Sequence, residues 1–209
     1  MLMFPSKNLA FLAIPKTATT SIEAALCDLA DNETAQSDFP KHMTANAFFR
    51  QWHKDHPDGT GAPDAFAVIR DPIDRLGSWY RYRRRSELGG SPKSTADVTF
   101  EDFVIEYLKE ERQPFADVGN QFRFCTDQQG RMLVRYLFSF HQLSVLEGFL
   151  ARRFETPKPL SHLNASEASE LSLSRQTTER LKRQNVSEFK LYDSVAAKGW
   201  NEFGVPARF

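Results

Sequence analysis

The chain has 209 residues and sets 27 lysines and arginines against 27 aspartates and glutamates. That length suits a single α/β domain spanning 1–209 with a substantial core, and zero net charge argues against the broadly basic face that bulk nucleic-acid binding needs. Two cysteines, Cys27 and Cys125, cannot form a disulfide framework; both lie in apolar patterns and read as buried free thiols.

The first seven residues lack a charged start, a long apolar region and a small-residue cleavage site, so no signal peptide is read. No stretch approaches the ~20 apolar residues of a membrane span. The expectation is a chain in a reducing, cytoplasmic compartment. Leu9 to Ile14 is an apolar run of strand length, stopped by Pro15. Lys16-Thr17-Ala18-Thr19-Thr20-Ser21 follows as a small polar turn, and Ile22, Leu26 and Leu29 then fall at helical spacing. A strand, a polar turn and a helix start make an anion site, because the first helical N–H groups lack internal partners and carry partial positive charge. Lys16 adds a full charge, and the hydroxyls of Thr17, Thr19, Thr20 and Ser21 add donors. The same residues would also serve an ordinary strand–turn–helix with a solvated lysine.

Thr44 reads as an N-cap with Ala45, Phe48, Phe49 and Trp52 on one helical face, which puts Lys41 and His42 in a loop just before a helix. His53 and His56 with Asp55 and Asp58 come nearest to a metal cluster, but no second group has zinc-like spacing, so no metal is expected. Ala65 to Ile69 reads as a second buried strand. It leads into Arg70-Asp71-Pro72, where Asp71 suits an N-cap and Pro72 the first helical position. Ile73, Leu76, Gly77 and Tyr80 form the buried stripe of this helix; Arg75, Ser78 and Tyr82 share another face, with Ser78 about two turns above Arg70. Arg81, Arg83, Arg84 and Arg85 read first as cations complementing a helix C-terminus, and alternatively as a collar for an anion.

Residues 88–98, rich in Gly, Ser, Pro and Lys, form a candidate lid. Thr99 and Asp102 resemble a capping box ahead of Phe100, Phe103, Val104, Tyr107 and Leu108. Leu133 to Ser139 is strand-like and runs into a helix bearing Leu143, Leu146, Phe149 and Leu150, with His141 at its start as a capping or core-edge histidine. Repeated strand-then-helix order points to a parallel sheet. Ser174 caps a helix through Gln184, and Phe189 begins a last helix.

Two of these segments carry a resemblance. Pro15-Lys-Thr-Ala-Thr-Thr20 is similar to the 5′-phosphosulfate loop of sulfotransferases, usually Pro-Lys-[Ser/Thr]-Gly-Thr-Thr, with Ala18 in place of the usual glycine. Arg70-Asp71-Pro72, Arg75, Ser78 and Tyr80 resemble that family's 3′-phosphate segment, Arg-Asp-Pro-x-x-Arg-x-x-Ser-x-[Tyr/Phe]. The resemblance, to the small bacterial and carbohydrate-type branch, implies a P-loop NTPase-like three-layer fold: a central, mainly parallel sheet flanked by helices. It also implies a sulfuryl donor, 3′-phosphoadenosine-5′-phosphosulfate (PAPS). Lys16 to Ser21 would hold its 5′ end, and Arg70 and Ser78 its 3′-phosphate. Gln121 sits where many members of that branch have a site-lining glutamine, and Leu160 to Ser166, with His162 and Asn164, resembles a late segment that closes over the nucleotide.

Chemistry supplies the remaining roles. Lys16 would neutralise the leaving phosphate oxygen, and a hydroxyl or amine acceptor needs a general base. Histidine suits that task, and Lys41-His42-Met-Thr-Ala resembles the Lys-His-x-[Thr/Ala] segment of carbohydrate-type members. His42 is therefore the expected base, with His162 and Glu23 in reserve; Glu23 equally suits a first-turn dipole partner. The expected acceptor is a carbohydrate or small alcohol, with lipid and tyrosine open. Two other readings stand: a kinase-like phosphotransferase, for which the glycine-rich loop and magnesium carboxylate are missing, and a non-catalytic nucleotide or anionic-glycan binder, suggested by Ala18.

Overall fold

The computed structural model describes residues 1–30, 39–155, 159–160 and 171–204. Among these, five strands form one sheet in sequence order: β1 (Leu2–Phe4), β2 (Leu9–Phe11), β3 (Asp64–Ile69), β4 (Tyr136–Ser139) and β5 (Trp200–Glu202). The central three run parallel, and the two edge strands pair antiparallel to them. The expected parallel sheet is thus its centre. The edge strands escape sequence reading because each has three residues, too few to display a period of two.

The helices are α1 (Thr19–Leu26), α2 (Ala45–Asp55), α3 (Pro72–Arg83), α4 (Phe100–Tyr107), α5 (Gln121–Cys125), α6 (Leu143–Phe154), α7 (Arg175–Gln184) and α8 (Val186–Ala196). Their starts are locally coded. Thr44 accepts from Ala47 N–H, Asp71 from Ile73 and Asp74 N–H, and Ser174 from Thr177 N–H, while Thr99 and Asp102 close a full capping box. The last helix starts three residues earlier than Phe189 suggests.

Alternation along β2 sorts the core into layers. Leu9 and Phe11 face Ile22 and Leu26 of α1 and Leu146 and Leu150 of α6. Ala10 and Leu12 face Phe48 and Phe49 of α2 and Leu191 and Val195 of α8. A third cluster joins α3, α4 and α7 through Leu76, Tyr80, Phe103, Val104, Tyr107 and Leu181. Full burial of a side chain such as Phe48 or Phe11 is worth about 1.5–3 kcal/mol.

Three local expectations are corrected. Cys27 is exposed, because the chain tightens into a 3₁₀ turn at Cys27–Leu29 and carries the thiol outward; Cys125 is buried, and burial raises its thiol pKa. Arg75, placed on a face apart from the buried stripe, is itself buried: it is 2% exposed and turns inward to the Gly119 carbonyl and Glu188. Residues 88–98 are tied to α3 rather than forming a free lid. Thr95, fully buried, donates its hydroxyl to Tyr80 O at 2.8 Å and its N–H to Arg83 O at 3.1 Å, and the Tyr80 hydroxyl donates to Val98 O at 2.8 Å.

The site follows from the topology. Because β2, β3 and β4 run the same way, their C-terminal ends bring the turn at Lys16, the residue Arg70 and the segment Phe140–His141 to one edge of the sheet. Open α/β sheets bind ligands at that edge.

Candidate functional site

After β2, Leu12 N–H still bonds to Phe66 O, and the chain then turns sharply. Lys16 (φ 72°) and Ala18 (φ 63°) both adopt left-handed backbone. At the position where the resembling loop usually has glycine, alanine adopts positive φ, at a cost of about 1–2 kcal/mol. Left-handed positions in a tight turn can direct neighbouring N–H groups into one concavity suited to an anion. Thr17 between them is fully buried and donates its hydroxyl to Ile14 O at 2.8 Å. Its hydroxyl therefore shapes the turn, leaving the backbone N–H for a ligand. Thr19 and Ser21 are buried at the start of α1, and Thr20 is exposed.

The Lys16 ammonium lies 4.2 Å from the Tyr82 ring centre and 5.8 Å from that of Trp79. Burial, then the charges of Arg85, Arg70 and Arg81, lower its pKa to about 8. This divides the basic end of α3 in two. Arg83 serves the fold through Pro114 O at 2.7 Å and Asp117 O at 2.9 Å, and Arg84 through the Tyr80 hydroxyl at 2.7 Å. The charges of Arg81 and Arg85 bear on Lys16 instead. Among the described residues, the Trp79 Nε1–H and the Arg81 Nε–H are buried without an acceptor.

Arg70 leaves β3 with its guanidinium tied three ways. Nε and Nη2 donate to Asp74 at 2.6 and 2.9 Å, and Nη1 donates to Lys16 O at 3.4 Å. The group lies 4.1 Å from the Phe140 ring centre. Asp74 also meets Arg81 at 3.9 Å and His141 Nε2 at 3.2 Å. Sequence reading missed Asp74; the available signal is its i+4 spacing from Arg70 in the first turn of α3. His141, read as a capping or core-edge histidine, lies in this cluster against Asp74. Ser78, 4% exposed, stands on the same helix. Gln121 is also buried and bonds to the Arg70 backbone.

His42 is exposed, and its Nδ1 lies 2.7 Å from the carbonyl of Ala13, three residues before Lys16. A carbonyl only accepts, so Nδ1 carries the proton and Nε2 of the neutral ring keeps its lone pair. Glu23 lies in the second turn of α1, not the first. Burial opposes its charge, but hydrogen bonds from Lys41 at 2.5 Å and the Met1 amino group at 2.9 Å outweigh that and hold its pKa below the usual range. His162 and Asn164 lie outside the described residues. Among the described residues no His, Cys, Asp or Glu group is arranged to hold a metal, and no helix is long and apolar enough to cross a membrane.

Two helix starts after neighbouring parallel strands, joined by a direct contact from Arg70 to Lys16 O, place the chain among the α/β proteins. The sulfotransferase family model matches residues 1–194, and the chain belongs to that family. No curated protein sequence matches it. Membership makes the chain a transferase of the sulfuryl-transfer type.

Proposed function

We propose that the protein moves a sulfuryl group from PAPS to a hydroxyl or amine acceptor, a carbohydrate or small alcohol, within a P-loop-like frame. The observation that carries this reading is the contact between Arg70 Nη1 and Lys16 O at 3.4 Å. A donor with phosphates at its 3′ and 5′ positions needs two anion cradles at nucleotide spacing, and these two touch. The 5′-phosphosulfate lies on the turn from Lys16 to Ser21, against its N–H groups and the Lys16 ammonium. The 3′-phosphate takes the free N–H groups of Arg70 and the Ser78 hydroxyl. A guanidinium has five donors, and three bonds leave some to spare.

In transfer, the acceptor oxygen or nitrogen attacks sulfur as the bond to the 5′-phosphate oxygen breaks in line. Lys16 neutralises charge on that leaving oxygen. His42 Nε2 takes the acceptor proton while Nδ1–H stays on Ala13 O. The phosphotransferase reading gains no support from the site; the non-catalytic reading needs the same left-handed turn at Ala18 and is separated by transfer to an acceptor.

Calorimetry with adenosine 3′,5′-bisphosphate and adenosine 5′-monophosphate tests the donor. The reading expects the bisphosphate to bind at least ~10-fold tighter; equal affinities would sink it. Labelled PAPS with an acceptor panel then separates transfer from binding alone.

A further inference from the structure

The ladder of β3 ends at Ile69, opposite Ser139 of β4. Arg70 is the next residue, and its two backbone groups are taken by one side chain. Arg70 N–H donates to Gln121 Oε1 at 2.9 Å, and Gln121 Nε2 donates to Arg70 O at 2.8 Å. The carboxamide closes a ring of two hydrogen bonds, as a neighbouring strand would. Gln121 is 1% exposed. Its Oε1 and Nε2 are both engaged with the Arg70 backbone, so it reaches the site through Arg70 rather than lining it directly as the resemblance implies.

The carboxamide is itself held. Gln121 N–H donates to Glu188 Oε1 at 2.9 Å, and Asn120 Nδ2 donates to Glu188 Oε2 at 2.7 Å. Asn120 also caps α5 by accepting from Arg123 N–H. Arg75 Nη2 bonds to Gly119 O and lies 3.5 Å from Glu188 Oε1. So residues 119–121 are fastened to α3 through Arg75 and to α8 through Glu188, which is 3% exposed. None of these links touches the outer edge of the sheet where a nucleotide would lie.

We propose that Gln121 is a positioning residue for nucleotide binding: its carboxamide replaces a missing strand at Arg70 and sets the direction in which the guanidinium leaves β3. Glu188 of α8 sets Gln121 in turn, so a helix far from Lys16 in sequence tunes the 3′-phosphate cradle. The proposal rests on the nucleotide reading above. It makes the 3′-phosphate preference, rather than affinity in general, the property that Gln121 controls. The Lys16 turn is reached by no part of this network except the Arg70 guanidinium.

The test exploits the two faces of the carboxamide. Gln121→Glu keeps the shape and the acceptor for Arg70 N–H, but when ionised it sets an oxygen against Arg70 O. When protonated, the new carboxyl donates to that oxygen and restores the ring. Burial favours the protonated form, so the switch lies within an accessible range. Adenosine 3′,5′-bisphosphate and adenosine 5′-monophosphate are titrated calorimetrically into wild type and Gln121→Glu, at about pH 8 and about pH 5.5. Wild type at the same two pH values controls for Arg70, Asp71, Asp74, Arg75, His141 and Glu188, the charged and titratable groups around this region.

The expected result is a loss of about tenfold in the bisphosphate-over-monophosphate preference of the variant at the higher pH, mostly recovered at the lower. In turnover assays the variant should raise KM for the nucleotide with kcat little changed. A folded variant with wild-type preference at both pH values overturns the proposal. If wild type itself shows no preference, the nucleotide reading fails instead, and amide exchange judges the clamp separately. In the unaltered protein, Arg70 N–H should exchange as slowly as Val68 and Ile69 N–H; fast exchange overturns the clamp even where no variant folds.

Discussion

Arg70 Nη1 donates to the carbonyl of Lys16 across 54 residues of sequence, at 3.4 Å. One bond thus ties the tip of β3 to the turn after β2. The same guanidinium is forked onto Asp74. A lysine could not make this set of contacts, because an ammonium is a point charge without a planar fork. Arg70→Lys is therefore expected to weaken adenosine 3′,5′-bisphosphate nearly as much as Arg70→Ala, by about 10–100-fold, the worth of a charged hydrogen-bonded contact. Binding of the 5′-monophosphate should change far less. Calorimetry on both variants checks this; a lysine variant at wild-type affinity would mean that only charge counts at this position.

Lys16 carries a pH signature with a definite sign. Its pKa of about 8 lies below the 10.5 of a free lysine, so the fold disfavours its charge. That penalty is fully present below pH 8 and is relieved as pH rises from 8 towards 10.5, where the unfolded chain still binds the proton that the folded one has lost. Lys16→Met keeps the packing against Tyr82 without the charge. It should raise Tm at neutral pH by a few degrees, with the gain shrinking at alkaline pH. Turnover should collapse, since the leaving oxygen loses its cation. In wild type, kcat/KM for the donor should fall above pH 8 as Lys16 loses its proton. A variant less stable than wild type at every pH would show that Lys16 is not strained by its surroundings.

The His42 assignment separates binding from chemistry. Its ring nitrogen on Ala13 O fixes the tautomer from outside the turn itself. His42→Ala removes a base while leaving the Lys16 turn and the Arg70 fork in place. Turnover should drop by about 10²–10⁴-fold, with the affinity for adenosine 3′,5′-bisphosphate near that of wild type. Transfer at wild-type rate by this variant would move the base elsewhere, with His141, already against Asp74, next to be replaced.

What sequence reading found and missed divides by distance along the chain. Caps at Thr44, Asp71, Thr99 and Ser174 are legible because each side chain bonds to a backbone group two or three residues on. The strand–turn–helix units around Lys16–Ser21 and Arg70–Ser78 are legible because each lies in one continuous segment. Arg75 is misread because its partners, Gly119 and Glu188, are 44 and 113 residues away; its helical face is calculable, but what packs on that face is not. The role of Gln121 is hidden for the same reason, 51 residues from Arg70. Cys27 fails differently: the apolar spacing is right, but α1 tightens into a 3₁₀ turn at that residue. The edge strands β1 and β5 exist through their pairing with β2 and β4, which no pattern within three residues can announce.

Ala18 stands where the loop it resembles usually has glycine, and its φ of 63° puts a Cβ in left-handed backbone. Relief of that strain by glycine is worth about 1–2 kcal/mol, against about 0.5–1 kcal/mol of extra chain entropy lost on folding. The strain term is the larger. Ala18→Gly should therefore gain up to ~1 kcal/mol and raise Tm by about 1–4 °C for a chain of this size. The Cβ adds nothing to the N–H concavity, so nucleotide affinity should hold or improve slightly. Ala18→Val should do the reverse, because a β-branched side chain tolerates positive φ worst. Calorimetric melting of the pair, with bisphosphate titration of each, decides the matter. A glycine variant that melts lower than wild type would mean that the alanine methyl contributes packing against the α1 core that outweighs its backbone strain.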